Sequence, residues 1–165
     1  PSCSADSIHR SAADLDREIK SFSTELFRRS MSKETTLKLL SVEKRHGLAL
    51  ALDDTVFEFL AAARKLRGNE RTSSLLSNIV EGLHAILLTA RDAAKTGDPA
   101  DLELLSDMTR DRRGLVENIR LLYANSHENE NASLFADVYR FTDLYQRTVW
   151  LLNRWAVSMR SLSDE

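Results

Sequence analysis

Two E-x-x-H sequences, EKRH (Glu43, His46) and EGLH (Glu81, His84), are the residues whose types and spacing point most directly to chemistry. A carboxylate and an imidazole at i and i+3 share one helix face, and di-iron bundles combine two such motifs with two further glutamates. The spacing argues against that use here. If the two helices pair across Gly68, His46 lies 22 residues before that glycine and His84 lies 16 residues after it. The mismatch is about 9 Å at 1.5 Å per residue. His46 shares an apolar face with Val42, Leu50 and Phe57, which suits a packed, hydrogen-bonded core histidine. His84 and Glu81 fall off the apolar face of their helix. A phosphorelay histidine is excluded by its neighbours: Ala49–Leu50 and Leu87–Leu88 stand where Lys–Gly is needed.

A second constellation is the acidic ridge Glu103, Asp107 and Asp111, stepping by four along one helix. Such a row can hold a divalent or ferric ion if a second helix supplies more oxygens. Its competitor is a solvated flank neutralised by Arg110, Arg112 and Arg113. No Gly-rich phosphate loop, G-x-S-x-G elbow or H-E-x-x-H occurs. The single cysteine, Cys3, makes no nucleophile–base pair visible in sequence. The expectation is a protein that is not an enzyme and has no certain cofactor.

The third stretch is DLYQRTVWLLNRW, residues 143–155. At about 100° per residue, Val138, Phe141, Tyr145, Val149, Leu152, Ala156 and Met159 share one side, with Trp155 at its edge. Arg140, Arg147 and Arg154 recur every seven residues as a separate stripe. Tyr139, Trp150 and Val157 fall on a third side. Core packing accounts for the first group, and stems covering apolar surface account for the arginines. An aromatic row off the core face marks a surface for another helix or a partner, so Trp150, Tyr139, Arg147 and Arg154 are the contact candidates.

These residues need helices to position them, and the punctuation provides five long ones. The first is expected from about Asp6 to Ser30, with Ile8, Ala12, Leu15, Ile19, Phe22 and Leu26 as a narrow coiled-coil-like seam. The second runs from about Lys33 to Arg67 and stops at Gly68. Apolar almost all round from Leu48 to Leu60, it is expected to be the most buried. The third spans about Glu70 to Thr96 and ends at Gly97. Asp98 then caps a fourth, with Pro99 at its first position, reaching about Ala124. NSHENENAS is a loop, and the fifth helix runs from about Ala132 to Ser161. The fold expected is an all-α, antiparallel bundle in a single domain, residues 1–165.

Composition excludes several classes. With 42% hydrophobic and 29% charged residues the chain folds rather than staying disordered. A net charge of −2 gives no bulk attraction to nucleic acid. No stretch free of Asp, Glu, Lys and Arg exceeds nine residues, which argues against a membrane-spanning helix. The opening PSCSADS, without Met, reads as a piece cut from a longer protein.

Two segments together resemble a known family. DLELLSDMTRDRRGLVENIRLLY (101–123) and FTDLYQRTVWLLNRW (141–155) are similar to the C-terminal cytosolic region of bacterial sodium/phosphate cotransporters. There an LTxDRxxLMxxIR-like helix is followed, after a polar loop, by one reading LFERxVWLLRR. Thr109, Asp111, Arg112, Leu115, Ile119 and Arg120 stand at the first motif's positions. Leu144, Arg147, Val149, Trp150, Leu151 and Leu152 stand at the second's. Val116 replaces the usual Met, and Tyr145–Gln146 the usual Phe–Glu. VEKRHGLALALDDTVFEFLAAA (42–63) adds a weaker likeness to the preceding helix. The resemblance implies a PhoU-like helical bundle that regulates or assists a sodium-dependent phosphate transporter on the cytoplasmic side of the inner membrane. Its implied partners are the transporter's transmembrane part and a second copy of the chain, and no nucleic acid. Several PhoU proteins carry metal on E/D-x-x-x-D motifs, a spacing that Glu103–Asp107 and Asp107–Asp111 match. The other readings are a metal-carrying bundle, di-iron-like or of PhoU type, and a general interaction scaffold.

Overall fold

A computed structural model of the chain describes residues 4–110, 113–126 and 132–160. The elements among them are all helices: α1 (Ala5–Phe27), α2 (Lys33–Leu66), α3 (Glu70–Thr96), α4 (Pro99–Thr109), α5 (Arg113–Ser126) and α6 (Ala132–Arg160). The fold is an all-α bundle, as expected. Part of the loop expected around residues 125–133 and the expected end at Ser161 lie outside the described residues.

The helix boundaries follow side-chain capping. Ser4 accepts from the Ser7 N–H, Asn69 from Arg71 and Asp98 from Ala100, each filling a donor left open at a helix start. Gly97 closes α3 in the left-handed region at φ 63°, where an L side chain is strained. The single helix expected from Pro99 to about Ala124 is two. Arg110 adopts extended backbone (φ −69°, ψ 129°), which ends α4. Just before it, the Thr109 hydroxyl donates to the carbonyls of Leu105 (2.7 Å) and Ser106 (3.1 Å), as Thr142 does to Val138 and Tyr139 inside the unbroken α6. Gly114, the second residue of α5, is the local glycine at the break, and a single helix through it is what the apolar pattern suggests.

The chain divides into two compact units, Pro1–Phe57 and Glu58–Glu165. In the first, α1 pairs with the opening part of α2. In the second, α6 packs against α3, α4 and α5. Val138, Phe141, Tyr145, Val149, Leu152 and Ala156 of α6 are buried, and Leu102, Leu105, Val116, Ile79, Leu83 and Ile86 complete the core. Phe59, at the α2 end, stacks on Phe141 with centroids 4.7 Å apart. Thr72 ties the corner between α2 and α3 by donating to the Leu66 carbonyl at 3.0 Å.

The most buried helix is therefore α6 rather than α2. Leu48, Leu50, Leu52, Val56 and Phe57 are half-buried and Leu60 is exposed. Apolar residues spread around a helix give no single face to bury, whereas those of α6 concentrate on one side. One further difference concerns α3, which is long and apolar enough by length and composition to cross a membrane, with a window of mean hydropathy 1.2. Runs either side of Glu81 produce that value. Ile79, Leu83, Ile86, Ala90 and Ala93 are buried in the second unit, while Asn78, Glu81 and His84 lie on the exposed side.

Candidate functional site

In the second unit the outer side of α6 carries the exposed aromatic row. Tyr139, Trp150 and Val157 are 48, 56 and 52% exposed, although the helix beneath them is the best buried of the chain. Phe135 joins the same row, exposed and tilted against Tyr139 with centroids 6.4 Å apart. Sequence reading missed Phe135, although a step of four to Tyr139 was the available signal. The Arg154 guanidinium lies 5.7 Å from the Trp150 ring centroid, a loose cation–π arrangement. Arg147 is exposed, and Arg140 reaches Glu58 at 3.6 Å. Trp155 and Met159 are half-buried, matching an edge position on the core face.

Two polar latches hold this helix in place. Asn153 donates from Nδ2 to Thr109 Oγ1 (3.0 Å) and to the Ser106 carbonyl (3.2 Å). Arg120 of α5 donates from Nε to Thr142 Oγ1 at 3.0 Å, and its guanidinium lies 4.0 Å from the Tyr139 ring centroid. Its Nη2 is buried without a hydrogen bond, 3.7 Å from Asp143 Oδ1. Thr109 and Arg120 belong to the first sequence motif, and both engage the helix that carries the second. Leu144, Val149, Leu151 and Leu152 are buried and Ile119 is half-buried. Asp111, Arg112 and the Leu115 side chain lie outside what is described.

Two residues of the acidic ridge, Glu103 and Asp107, are among the described ones. Glu103 and Asp107 are exposed, and Asp107 accepts from Arg110 Nη2 at 2.8 Å. Asp111 lies outside the described residues. The E-x-x-H residues have other occupations: Glu81 accepts from Ser77 Oγ at 2.9 Å, and His84 is exposed. Where α2 meets α3, a concavity of about 910 Å³ opens between Leu60, Arg64, Arg67, Leu76 and Val80. Its lining mixes apolar side chains with Arg64, Arg67, Glu70 and Ser77.

Ligand-type side chains do converge in the first unit. His9 Nδ1 and Asp53 Oδ2 are 2.6 Å apart, and His9 Nε2 stands 3.9 Å from Asp54 Oδ1. The three ligand atoms lie within 4.8 Å of one another. The imidazole stacks on Phe57, with centroids 4.4 Å apart and planes 9° from parallel. With Asp53 orienting Nδ1–H, Nε2 would face Asp54, the pattern of a carboxylate-oriented histidine ligand. One heptad along α1, Asp16 Oδ1 meets His46 Nε2 at 3.1 Å. Lys20, 2.8 Å from Asp16 Oδ2, and secondly His46 hold the Asp16 carboxyl below the usual carboxylate range. His46 is thus half-buried and hydrogen-bonded rather than deep in a core. Cross-helix pairing of His9 had no local signal in sequence.

These arrangements define a class by physics: a helical module whose conspicuous features are packing latches and exposed apolar rows. Comparisons with protein-family models, with curated proteins and with solved structures return no match.

Proposed function

We propose that the chain is a non-enzymatic regulatory or accessory domain of a sodium-dependent phosphate transporter, working on the cytoplasmic side of a bacterial inner membrane. The observation that carries the reading is Trp150, more than half exposed in the middle of the best-buried helix. The two family-like motifs also interlock through Thr109–Asn153 and Arg120–Thr142, as parts of one packing scheme should. In this reading the row Phe135, Tyr139, Trp150 and Val157 docks on the transporter's membrane part, with Arg147 and Arg154 as its rim.

The test is sodium-driven phosphate uptake by cells expressing the complete gene product, with and without residues 4–160, and with Trp150→Ala. Deletion is expected to change the rate or phosphate dependence of uptake, and Trp150→Ala to weaken cross-linking to the membrane part. A coding region without hydrophobic spans before Pro1, or uptake indifferent to the deletion, overturns the reading. A second reading, a metal-carrying bundle, has the His9, Asp53 and Asp54 cluster in its favour. Stoichiometric metal by elemental analysis of chelator-free protein would favour that one.

A further inference from the structure

The two His–Asp pairs fix the register of the first unit. Seven residues forward on α1, from His9 to Asp16, correspond to seven back on α2, from Asp53 to His46. The helices are antiparallel, and the seam between them is His9, Ala12, Asp16, Ile19, Ser23 and Leu26 against Asp53, Leu50, His46, Glu43, Leu39 and Thr36. All twelve are buried or half-buried. This seam alternates three and four residues as coiled-coil packing does, but more than half of its residues are polar.

The strongest apolar residues of α1 lie one position earlier. Ile8, Leu15 and Phe22 are 53, 56 and 62% exposed. On α2 the residues one position before the seam are Thr35, Val42 and Ala49, all exposed, Val42 at 51%. Because the helices run oppositely, both rows fall on the same side of the pair. While Phe27, Leu37 and Leu40 are exposed at positions on the other side, on this side the hairpin presents an apolar face built by both helices. Its outer rim on α1 is acidic, Glu18 and Glu25, and its outer rim on α2 is basic, Lys38 and Arg45.

We infer that this face is covered by the same face of a second copy of the chain, forming an antiparallel four-helix arrangement about a two-fold parallel to the helices. That axis lays α1 of one copy over α2 of the other and keeps residue heights. Glu18 then stands within about one residue, ~1.5 Å, of the height of the second copy's Arg45, and Glu25 of its Lys38. Acidic rim meets basic rim on both sides at once, as an isologous interface requires. Glu25 and Lys38 now pair along their own helices, with Arg29 at 2.9 Å and Glu34 at 2.7 Å. Arg45 Nε donates to the Ser41 carbonyl. These are exposed or partly exposed contacts that can be shared with a partner at small cost. Area is sufficient: a 23-residue helix is about 34 Å long. Two side by side are about 18 Å wide, so the dimer buries roughly 1,200 Å² in total, the lower end of specific interfaces. The inference is independent of the transporter reading.

The experiment is sedimentation equilibrium of the full chain across a wide concentration range. A mass rising to twice 18.7 kDa is expected. Leu15→Glu with Phe22→Glu should abolish the dimer while leaving helical circular dichroism unchanged, since both positions are exposed. Glu18→Lys with Glu25→Lys should weaken it at least tenfold, and adding Lys38→Glu with Arg45→Glu should restore it. Overturning results are a monomer at every concentration, a dimer indifferent to Leu15→Glu with Phe22→Glu, or charge reversals that do not rescue. A monomer captured instead by anionic phospholipid vesicles would assign the face to a membrane and also overturn the inference.

Discussion

The two units use the same material, amphipathic helix, in opposite ways. In the second, the face that periodicity marks as apolar on α6 is the face that is buried: Val138, Phe141, Tyr145, Val149 and Leu152 all lie inside. In the first, α1 reads as a seam of Ile8, Ala12, Leu15, Ile19, Phe22 and Leu26, yet its contact with α2 runs through His9, Asp16 and Ser23 instead of Ile8, Leu15 and Phe22. Hydrophobic periodicity tells which side of a helix gains by leaving water. It does not tell which neighbour will cover that side. Where the two coincide the unit has a dry core, and where they differ a polar seam holds the pair and an apolar face remains outside.

The largest effect is expected in the core of the second unit. Phe141→Ala should cost about 3–5 kcal/mol, read as a lowered denaturant midpoint with loss of α6 protection. Loss of under about 1 kcal/mol would mean that the second unit is not organised around this ring. Next in size is Arg120. Arg120→Ala removes the bond to Thr142 and the contact with Tyr139, and should cost about 1–3 kcal/mol. Arg120→Lys should not restore it, because a point charge reproduces neither the bond geometry nor the stacking.

A smaller, pH-dependent effect belongs to the first unit. The Asp16 carboxyl is held below its ordinary range in the folded chain, first by Lys20 and then by His46. Its stabilising contribution is therefore complete above the ordinary carboxylate range and lost as pH falls through the lowered folded value. Acid titration of hydrogen exchange in α1 should show this loss, and Asp16→Asn should flatten it. The smallest effect is expected at Trp150. Trp150→Ala should change stability by no more than about 0.5 kcal/mol, because the ring is exposed, whereas a drop like that of Phe141 would place the indole in the core.

Much of this was legible in advance. The all-α fold, the cap at Asp98, the stop at Gly97 and the buried face of α6 all follow from local chemistry. Exposure of Tyr139, Trp150 and Val157 follows from one helical wheel. What could not be read depends on contacts between distant segments or on bonds without a sequence signature. The break at Arg110 follows no local rule: the Thr109 hydroxyl bonds back to Leu105 just as Thr142 and Thr148 bond back inside the unbroken α6. The His9–Asp53 and Asp16–His46 pairs depend on the α1–α2 register, which the apolar row alone would set differently. His46 looked like a core residue because Val42 and Phe57 share its face, yet Val42 is more than half exposed.

Hydrogen–deuterium exchange of one preparation at low and at high micromolar concentration tests the contrast between the units most directly. The α6 amides around Phe141–Leu152 should exchange slowly at both concentrations. Amides of α1 from Ile8 to Phe22 should gain protection only as the chain is concentrated. Equal, concentration-independent protection of α1 and α6 would contradict that contrast.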